Sequence, residues 1–495
     1  MVTLSDYQNH SAYDNQAMFG SQTSIEDLDA LNKAIDAGSK TGRETTDNLT
    51  LGGASLKVES LEKTLKVLTH SEQDLAIWSK IPKSAAYNTV EEYNQLVSYG
   101  QDRGGFNNEG ETPAEEDSQY TRRAQLVKFL GVTKSVTHPM TLVNVNVANI
   151  LDREIKNGTL WILRKLNRGI YTANSEMVAQ EFNGLLTQHQ YNDQYSTVQD
   201  YLTSSYVIDL AGKKLSEAAI EDAANTIIEN FGRGTDLFAP PVVLSNFVKN
   251  FYGNKFIVPN TPSLTDGVMG QKVKSFESQF GNIGLNYDIF FNRLPVKTIA
   301  SVATSSSAPS APTAGSYTVQ TGDASSKYVT ADAGNYLYAV SAINRFGESQ
   351  LTCVNTTVAA LVNGASIDLT FTDTASTYAA TGYVIYRSAK GVSSGTPTGV
   401  NFYPLFTVTK AQFTAGYDGG AAGKVRDRGM YQPLTDKAFL IQWDTDVVEF
   451  KQLAPLMKMD LAVVSPAYRF MMLLYGTPFL YAVKKMVLLI NIGNA

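Results

Sequence analysis

The sequence is poor in cysteine, with only Cys353 among 495 residues. A single thiol excludes an intramolecular disulfide framework and fits assembly in a reducing compartment such as a cytoplasm. A catalytic thiol needs a neighbouring base, and no histidine lies near Cys353 in the sequence. The default interpretation of Cys353 is therefore a small, buried core residue.

Long apolar runs and a strong excess of charge are also missing. The most apolar stretch, residues 470–483, is too short to span a bilayer and contains Gly476 and Pro478, so it predicts two buried strands joined by a turn. The first sixteen residues lack the basic and apolar regions of a secretory signal, which predicts a soluble protein with no membrane partner. A net charge of −6 argues against a strongly basic nucleic-acid binder but leaves room for a local basic face.

Motifs of catalysis and metal binding are absent as well. The four histidines are scattered without metal-ligand spacing, and no phosphate-binding loop, dinucleotide fingerprint or nucleophile elbow is present. The acidic groups at 115–117 and at Asp444 and Asp446 are interpreted as solvated loops, because catalytic carboxylates need burial to separate their pKa values. The sequence therefore predicts neither an enzyme nor a cofactor.

The N-terminal third consists of parts that are not expected to be stable alone. Residues 1–60 are polar and rich in turn formers, which predicts an arm that becomes ordered against a partner. Residues 61–85 carry leucines at helical spacing and predict an amphipathic helix. Residues 86–140 predict an extended hairpin with a long polar tip, and an isolated two-stranded hairpin needs another surface behind it.

A mixed α+β body is predicted for residues 141–295 and 428–495. Within it, an apolar stripe over 147–171 predicts a helix that would be roughly 37 Å long at about 1.5 Å per residue. Ser216 is a plausible N-cap for a second helix that ends before Gly232. A strand at Leu237-Phe238 and a further helix after Pro240 follow.

Residues 296–427 interrupt this body with a different composition. The stretch 301–316 is dominated by Ser, Ala, Pro and Thr and predicts a linker. The following residues, to about Lys424, are rich in Tyr, Val and Thr with frequent turn residues, which predicts an all-β domain. An independent β-domain therefore looks inserted into another domain, at a site where close chain ends make insertion tolerable.

Several stretches, taken in order, resemble the major capsid proteins of tailed bacteriophages, which have the Hong Kong 97 fold. The hairpin lies where that family has its extended loop. Residues 146–188, which contain the phrase Phe182-Asn183-Gly184-Leu185, resemble the spine helix and the motif after it. Residues 207–251 resemble the peripheral domain, and residues 275–292 resemble the stretch that leads into the last strands. The C-terminal part, within residues 428–495, resembles the closing helix and strands. Within the insert, residues 338–349 and 381–391 resemble strands of a fibronectin type III or immunoglobulin-like sandwich, in an unusual order.

This resemblance implies the class of function and the candidate contacts. The chain would be an α+β shell subunit with arm, extended loop, spine helix, peripheral and axial domains and an outward-facing β-sandwich. It would form hexamers and pentamers with itself, meet portal, scaffold and possible decoration proteins, enclose double-stranded DNA without sequence preference, and be assembled in the host cytoplasm. Candidate inter-subunit contacts are Glu115, Glu116, Asp117, Arg122 and Arg123. Candidate inner-face residues toward DNA are Arg153, Lys156, Arg164, Lys165 and Arg168, for which a solvated helix face is the plainer interpretation.

Two alternatives remain open at the level of sequence. An extracellular adhesin or glycan-binding protein with an immunoglobulin-like module would need an export signal and a carbohydrate cleft. Another phage structural part, such as a tail or head-decoration protein, would lack the long helix and the bracketing body. A glycan-binding role for the insert itself is a further hypothesis, suggested by its tyrosines.

Overall fold

The computed structural model describes residues 74–100, 106–112, 115–142, 149–191, 198–254, 273–291, 295–355, 359–392, 397–462 and 465–493. The predicted arm 1–60 and most of the predicted helix 61–85 lie outside these residues. In the described part of that helix region, a short helix is followed by a strand.

Helices and strands are numbered in chain order. The helices are α1 (Ala76–Lys80), α2 (His138–Leu142), α3 (Ile150–Thr172), α4 (Leu185–Gln190), α5 (Val198–Leu202), α6 (Glu217–Glu229), α7 (Pro241–Asn254) and α8 (Lys410–Ala415). The strands are β1 (Lys83–Ala85), β2 (Val90–Ser98), β3 (Gln119–Leu126), β4 (Lys128–Thr137), β5 (Val207–Asp209), β6 (Asp236–Ala239), β7 (Ser275–Ser278), β8 (Gly281–Tyr287), β9 (Thr313–Gln320), β10 (Gly334–Tyr336), β11 (Tyr338–Asn344), β12 (Gly347–Glu348), β13 (Thr352–Cys353), β14 (Ala359–Leu361), β15 (Ser366–Thr372), β16 (Gly382–Ser388), β17 (Phe402–Thr409), β18 (Lys424–Asp427), β19 (Thr435–Ile441), β20 (Val448–Asp460), β21 (Ala467–Leu480) and β22 (Met486–Gly493).

Two sheets form the body. A long sheet has the order β1-β20-β21-β4, and a six-stranded sheet has the order β5-β22-β19-β6-β8-β7. Strand β22 is buried along its whole length, because it carries no polar side chain except that of Asn491 and lies between β5 and β19. The predicted N-cap of α6 is confirmed, since the Ser216 hydroxyl accepts a hydrogen bond from the Ala219 N–H at 3.3 Å.

The predicted long helix is confirmed as α3, which lies against the long sheet. Ile162, Leu166 and Ile170 are buried, as the apolar stripe predicted. Gly158 faces the sheet, where a Cβ atom would come within 2.6 Å of the Met472 sulfur. The glycine therefore lets helix and sheet approach closely, which compensates for its cost of about 1 kcal/mol in helix propensity.

The prediction of two strands in residues 470–483 is wrong, because β21 runs without a break through Gly476 and Pro478. Gly476 leaves room for the Phe450 ring and for the Lys451 carbonyl oxygen, which a Cβ would approach to 2.7 Å. The pairing of β21 with β4 ends at Gly476 and Lys128. Beyond this pair, that side of β21 is a sheet edge, so the missing N–H of Pro478 breaks no hydrogen bond between strands. The predicted closing helix is also wrong, since the described residues from 435 onward form strands and one 3-10 turn.

The predicted hairpin is shorter than the sequence suggested. Its strands are β2 and β3, which pair with each other as a two-stranded sheet. The remainder of the predicted second strand is a separate element, β4, which pairs with β21. The separation follows from packing, because Leu130 and Val132 of β4 lie against the body core.

The insert contains three sheets and one departure from the prediction. The first has the order β12-β11-β16-β17 with β13 also on β11, the second has the order β18-β15-β9, and the third consists of β10 and β14. The two segments that resemble sandwich strands, 338–349 and 381–391, are neighbours in the structure, because β11 and β16 pair antiparallel. Helix α8 was not expected in an all-β segment.

The stretch predicted as a linker is held against the insert. The Thr304 N–H donates to the Glu348 carbonyl oxygen at 3.0 Å, and the Glu348 N–H donates back to the Thr304 hydroxyl at 2.7 Å. The buried side chains of the insert also continue into the body core. The boundaries 296–427 and the immunoglobulin-like label therefore stay predictions.

A buried histidine predicts a pH dependence of stability. His189 is fully buried between the Tyr201 hydroxyl at 3.0 Å and the Met486 carbonyl oxygen at 2.9 Å. Burial lowers the pKa of His189 from 6.5 to about 4, although the Met486 carbonyl opposes the shift. The neutral ring is therefore favoured by folding, and its contribution is complete above about pH 6.5 and lost as the pH falls toward 4.

We expect the free energy of unfolding to fall by up to roughly 3 kcal/mol over this range through His189 alone. For His189→Gln, the free energy of unfolding measured with urea is expected to decrease less between pH 7 and pH 4 than it does for the wild type. His138→Gln is the control substitution, because His138 lies exposed on the surface whereas His189 is buried. Equal slopes for His189→Gln and the wild type would contradict the prediction.

Candidate functional site

The base of the hairpin is anchored on the end of the long sheet. The Tyr93 ring lies edge-on to Tyr481 at 4.8 Å and to Phe479 at 5.8 Å between ring centroids. The Glu91 carboxylate forms an ion pair with the Lys451 ammonium group at 3.3 Å. Burial raises the pKa of the Glu91 carboxyl, but backbone N–H donors and Lys451 outweigh it and lower the pKa overall. The hairpin therefore leaves the body from a packed base.

The outer part of the hairpin, by contrast, exposes apolar side chains to solvent. Val97 is 60% exposed, Tyr99 85% and Tyr120 71%. Phe106, between the strands, is fully exposed at 102%. A protruding two-stranded ribbon with exposed aromatics is typical of a surface that is covered in an assembly. We call residues 99–118 the hairpin tip; the described part of it consists of residues 99, 100, 106–112 and 115–118.

The predicted contact residues fall on different parts of the hairpin. Glu115, Glu116 and Asp117 are exposed on the tip, as expected for a solvated acidic segment. Arg122 lies on the outer face, where it pairs with Glu92 across the ribbon at 3.3 Å. Arg123 lies on the opposite face and donates through Nε to the Gln95 side-chain oxygen at 3.2 Å. The two arginines, adjacent in sequence, thus face opposite sides of the ribbon.

A cleft of about 570 Å³ lies between the inner face of the hairpin and the body. Arg123 lines it from the hairpin, and Lys484 and Lys485 line it from the turn before β22. Its other lining residues include the rings of Tyr93 and Tyr481 and several side-chain amides, but no carboxylate. We call this space the basic cleft. Sequence reasoning missed it; the only local signal was a lysine pair between two apolar runs.

The predicted basic residues of α3 form an exposed band rather than a pocket. Lys156, Arg164, Lys165 and Arg168 are exposed, and Arg153 is half-buried. Glu181 lies close enough to Lys165 and Arg168 for their charge to oppose the rise that burial causes in its pKa. Glu181 therefore already offsets part of the positive charge of this band. Binding of DNA by the band stays a prediction.

The described residues offer little for catalysis. Cys353 is buried, as predicted, and burial raises the pKa of its thiol to about 11. Asp444 and Asp446 are exposed. No group of three His, Cys, Asp or Glu side chains among the described residues could hold a metal ion. In that same part of the chain, no helix combines the length and apolarity needed to cross a membrane.

Known proteins similar to this chain are phage capsid proteins. The family model described as SU10 major capsid protein matches residues 39–335, which is more than half of the chain. The major capsid protein of Staphylococcus phage K is 23% identical over 252 residues, covering 50% of this chain and 49% of that protein. The chain thus spans about half the length of the staphylococcal relatives it matches. A protein of Enterococcus phage phiEF24C, provisionally named major capsid protein, is 23% identical over 94% of this chain and 96% of its own length.

Solved capsid structures are also similar to this chain, at lower sequence identity. The capsid protein of a native GTA particle covers 90% of this chain and 99% of its own at 7% identity, with a TM-score of 0.44. That of the cyanophage P-SCSP1u covers 91% of this chain and 96% of its own at 9% identity, with a TM-score of 0.42. The adhesin alternative gains no support from any of these proteins.

The family match, rather than these distant overlays, carries the assignment. The hairpin, the long helix α3 and the mixed α+β body that the sequence predicted are present in the structure. The chain belongs to the SU10 major capsid protein family, whose members are structural shell proteins and not enzymes.

Proposed function

We propose that this chain is the repeating subunit of an icosahedral phage shell, and that its hairpin lies across a neighbouring copy. The observation that carries the proposal is the protruding ribbon of β2 and β3, with Tyr99, Phe106 and Tyr120 exposed beyond a packed base. Identical subunits that each reach over the next make a head-to-tail interface, which closes into rings or shells. Exposed ion pairs contribute only about 0 to 1 kcal/mol each, so shell stability comes from buried area and repetition.

The remaining parts of the proposal concern partners. Hexamers and pentamers of this chain would enclose double-stranded DNA, with the band on α3 meeting phosphates without sequence preference. Portal and scaffold proteins, and decoration proteins where present, would bind the same shell during assembly in the host cytoplasm. The insert would face outward, where an additional domain does not obstruct packing of the body.

The first test is negative-stain electron microscopy of the purified chain, with light scattering on the same sample. Closed shells, tubes or hexameric rings are the expected result. Co-expression with the scaffold protein of the same phage is the second arm, because some shells form only on a scaffold. A chain that stays monomeric in both arms, across salt and concentration, would overturn the proposed function.

A further inference from the structure

We propose that the basic cleft binds a small organic phosphate, whose phosphate oxygens are held by Lys484 and Lys485. This role goes beyond that of a shell subunit, and it belongs to the folded chain whether or not a shell has formed. Four features of the cleft carry it: unpaired cations, the lack of a carboxylate, walls that are already in place, and free hydrogen-bond donors on the hairpin.

The lysine pair brings two positive charges to the cleft without a counter-charge. Lys484 is exposed and Lys485 half-buried, and neither has a carboxylate within ion-pair distance among the described residues. Arg123, the other cation of the cleft, is already engaged with the Gln95 side chain and belongs to the wall. No carboxylate lines the cleft. Because the two adjacent ammonium groups repel each other, an incoming anionic group is favoured beside them.

The amides on the body side of the cleft are occupied by bonds within the chain. Gln188 donates to the Pro478 carbonyl oxygen at 2.9 Å and accepts from the Leu480 N–H at 3.0 Å. The Asn230 amide donates to the Thr226 carbonyl oxygen at 2.8 Å. These bonds hold the wall in place without a ligand, so binding does not have to order it first.

The hairpin adds free hydrogen-bond donors to the opposite wall. Thr121 and Gln125 lie two positions before and after Arg123 on β3, so the three side chains share the inner face of the ribbon. Thr121 and Gln125 line the cleft, and neither side chain has a hydrogen-bond partner among the described residues. Since a hydroxyl, an amide and two ammonium groups all donate, the ligand has to supply acceptors. The oxygens of a phosphate group meet this need, and lysine is a common partner for them.

The size and composition of the cleft favour a small ligand over a nucleic acid. Its volume of about 570 Å³ lies within the range of roughly 300–1,000 Å³ that is usual for small-molecule sites. Leu480 and Val483 form an apolar wall for the organic part of the ligand. A nucleic-acid backbone needs a longer run of cations, which the exposed band on α3 offers and the cleft does not. Because the cleft separates the hairpin from the body, a bound ligand contacts both and holds the hairpin against the body.

The test is isothermal titration calorimetry of the full chain with ATP, in a buffer free of phosphate, sulfate and divalent cations. We expect saturable binding of one ATP per chain, and displacement by inorganic pyrophosphate, which offers the same kind of oxygens. Lys484→Ala with Lys485→Ala is expected to weaken binding about tenfold or more, because both phosphate partners are lost. The matched control is Lys213→Ala with Lys214→Ala, which removes an exposed lysine pair outside the cleft and should leave the Kd unchanged.

The contribution of the hairpin wall is tested separately. Thr121→Val keeps the shape of the side chain and removes the hydroxyl, so it is expected to weaken ATP binding severalfold. Photolabelling with an azido-ATP should place the label within residues 119–126 and 480–485. Label confined to other parts of the chain would overturn the proposal.

Three further results would contradict the site. They are no binding at millimolar ATP, equal weakening by the two lysine pairs, which indicates diffuse charge attraction, and failure of pyrophosphate to displace ATP. A DNA duplex that loses as much affinity as ATP in the cleft variant would assign the cleft to nucleic acid instead. An unchanged thermal midpoint of each variant without ligand verifies that it is folded. Since ATP binding is measured on the folded subunit, a failure to form shells would refute the proposed function and leave this result intact.

Discussion

Removing the hairpin tip is expected to abolish shell formation while leaving the subunit folded. Residues 99–118 are replaced by Asn-Gly, so that Ser98 and Gln119, which face each other in the ribbon, are joined by a two-residue turn. The base contacts between Tyr93 and Tyr481 are retained, so the body should keep its thermal stability. The interface area supplied by the tip is lost, and shells should fall below detection in electron microscopy and light scattering.

A second variant distinguishes the contribution of the length of the tip from that of its side chains. Replacing residues 99–118 by a Gly/Ser segment of equal length keeps the loop but removes its aromatic and acidic side chains. We expect this variant to fail as well, because a flexible chain without anchors gains little on docking and loses conformational entropy. Wild-type shell yields from the Asn-Gly variant would show that the hairpin is not the inter-subunit contact.

The second large effect is expected at a buried ion pair in the insert. The Asp427 carboxylate accepts from Arg387 at 3.1 Å and from the hydroxyls of Tyr328 at 2.9 Å and Tyr338 at 2.8 Å. Both charged side chains are almost fully buried, and an arginine does not lose its proton in a protein. Asp427→Ala leaves that charge unpaired in the interior, which typically costs about 3–5 kcal/mol.

Thermal unfolding followed by near-ultraviolet circular dichroism measures this loss as a lower midpoint. Asp460→Ala is the matched control, because Asp460 pairs with Lys458 at 2.9 Å but is 76% exposed, and exposed pairs contribute about 1 kcal/mol at most. Combining Arg387→Met with Asp427→Asn removes the unpaired charge and keeps an acceptor for the tyrosines, so it should recover part of the loss. Equal midpoints for Asp427→Ala and Asp460→Ala would contradict the buried-charge argument.

The ion pair also bears on how the insert is joined to the body. Arg387 donates through its second terminal nitrogen to the Tyr431 carbonyl oxygen at 3.2 Å, in the segment that returns to the body. The neighbouring Met430 carbonyl oxygen accepts from the Asn491 amide of β22 at 2.8 Å. One hydrogen bond from Arg387 and one from Asn491 of the six-stranded sheet thus end on two successive residues, Tyr431 and Met430. The insert is therefore attached by specific contacts and not only by its two chain connections.

The elements that the sequence predicted correctly are those defined by neighbours within a few positions. The stripe that ends at Ile170 predicted α3, because residues three and four apart share a helix face. Ser216 predicted the start of α6, because its hydroxyl meets an N–H only three residues away. The acidic tip and the exposed arginine and lysine band were likewise recognisable, since charged side chains without buried partners remain in solvent.

Contacts between distant residues were decided only by the tertiary structure. The continuous strand β21 needs the Phe450 ring to pack against Gly476, and the basic cleft needs Arg123 opposite a lysine pair about 360 positions later in the chain. By itself, the sequence determined the local elements and their order, and that order is sufficient to indicate a capsid subunit. Pairing register, the separation of β4 from the hairpin and the cleft beneath it depend on which apolar side chains can be buried together, and such burial is a property of the whole fold rather than of any local pattern.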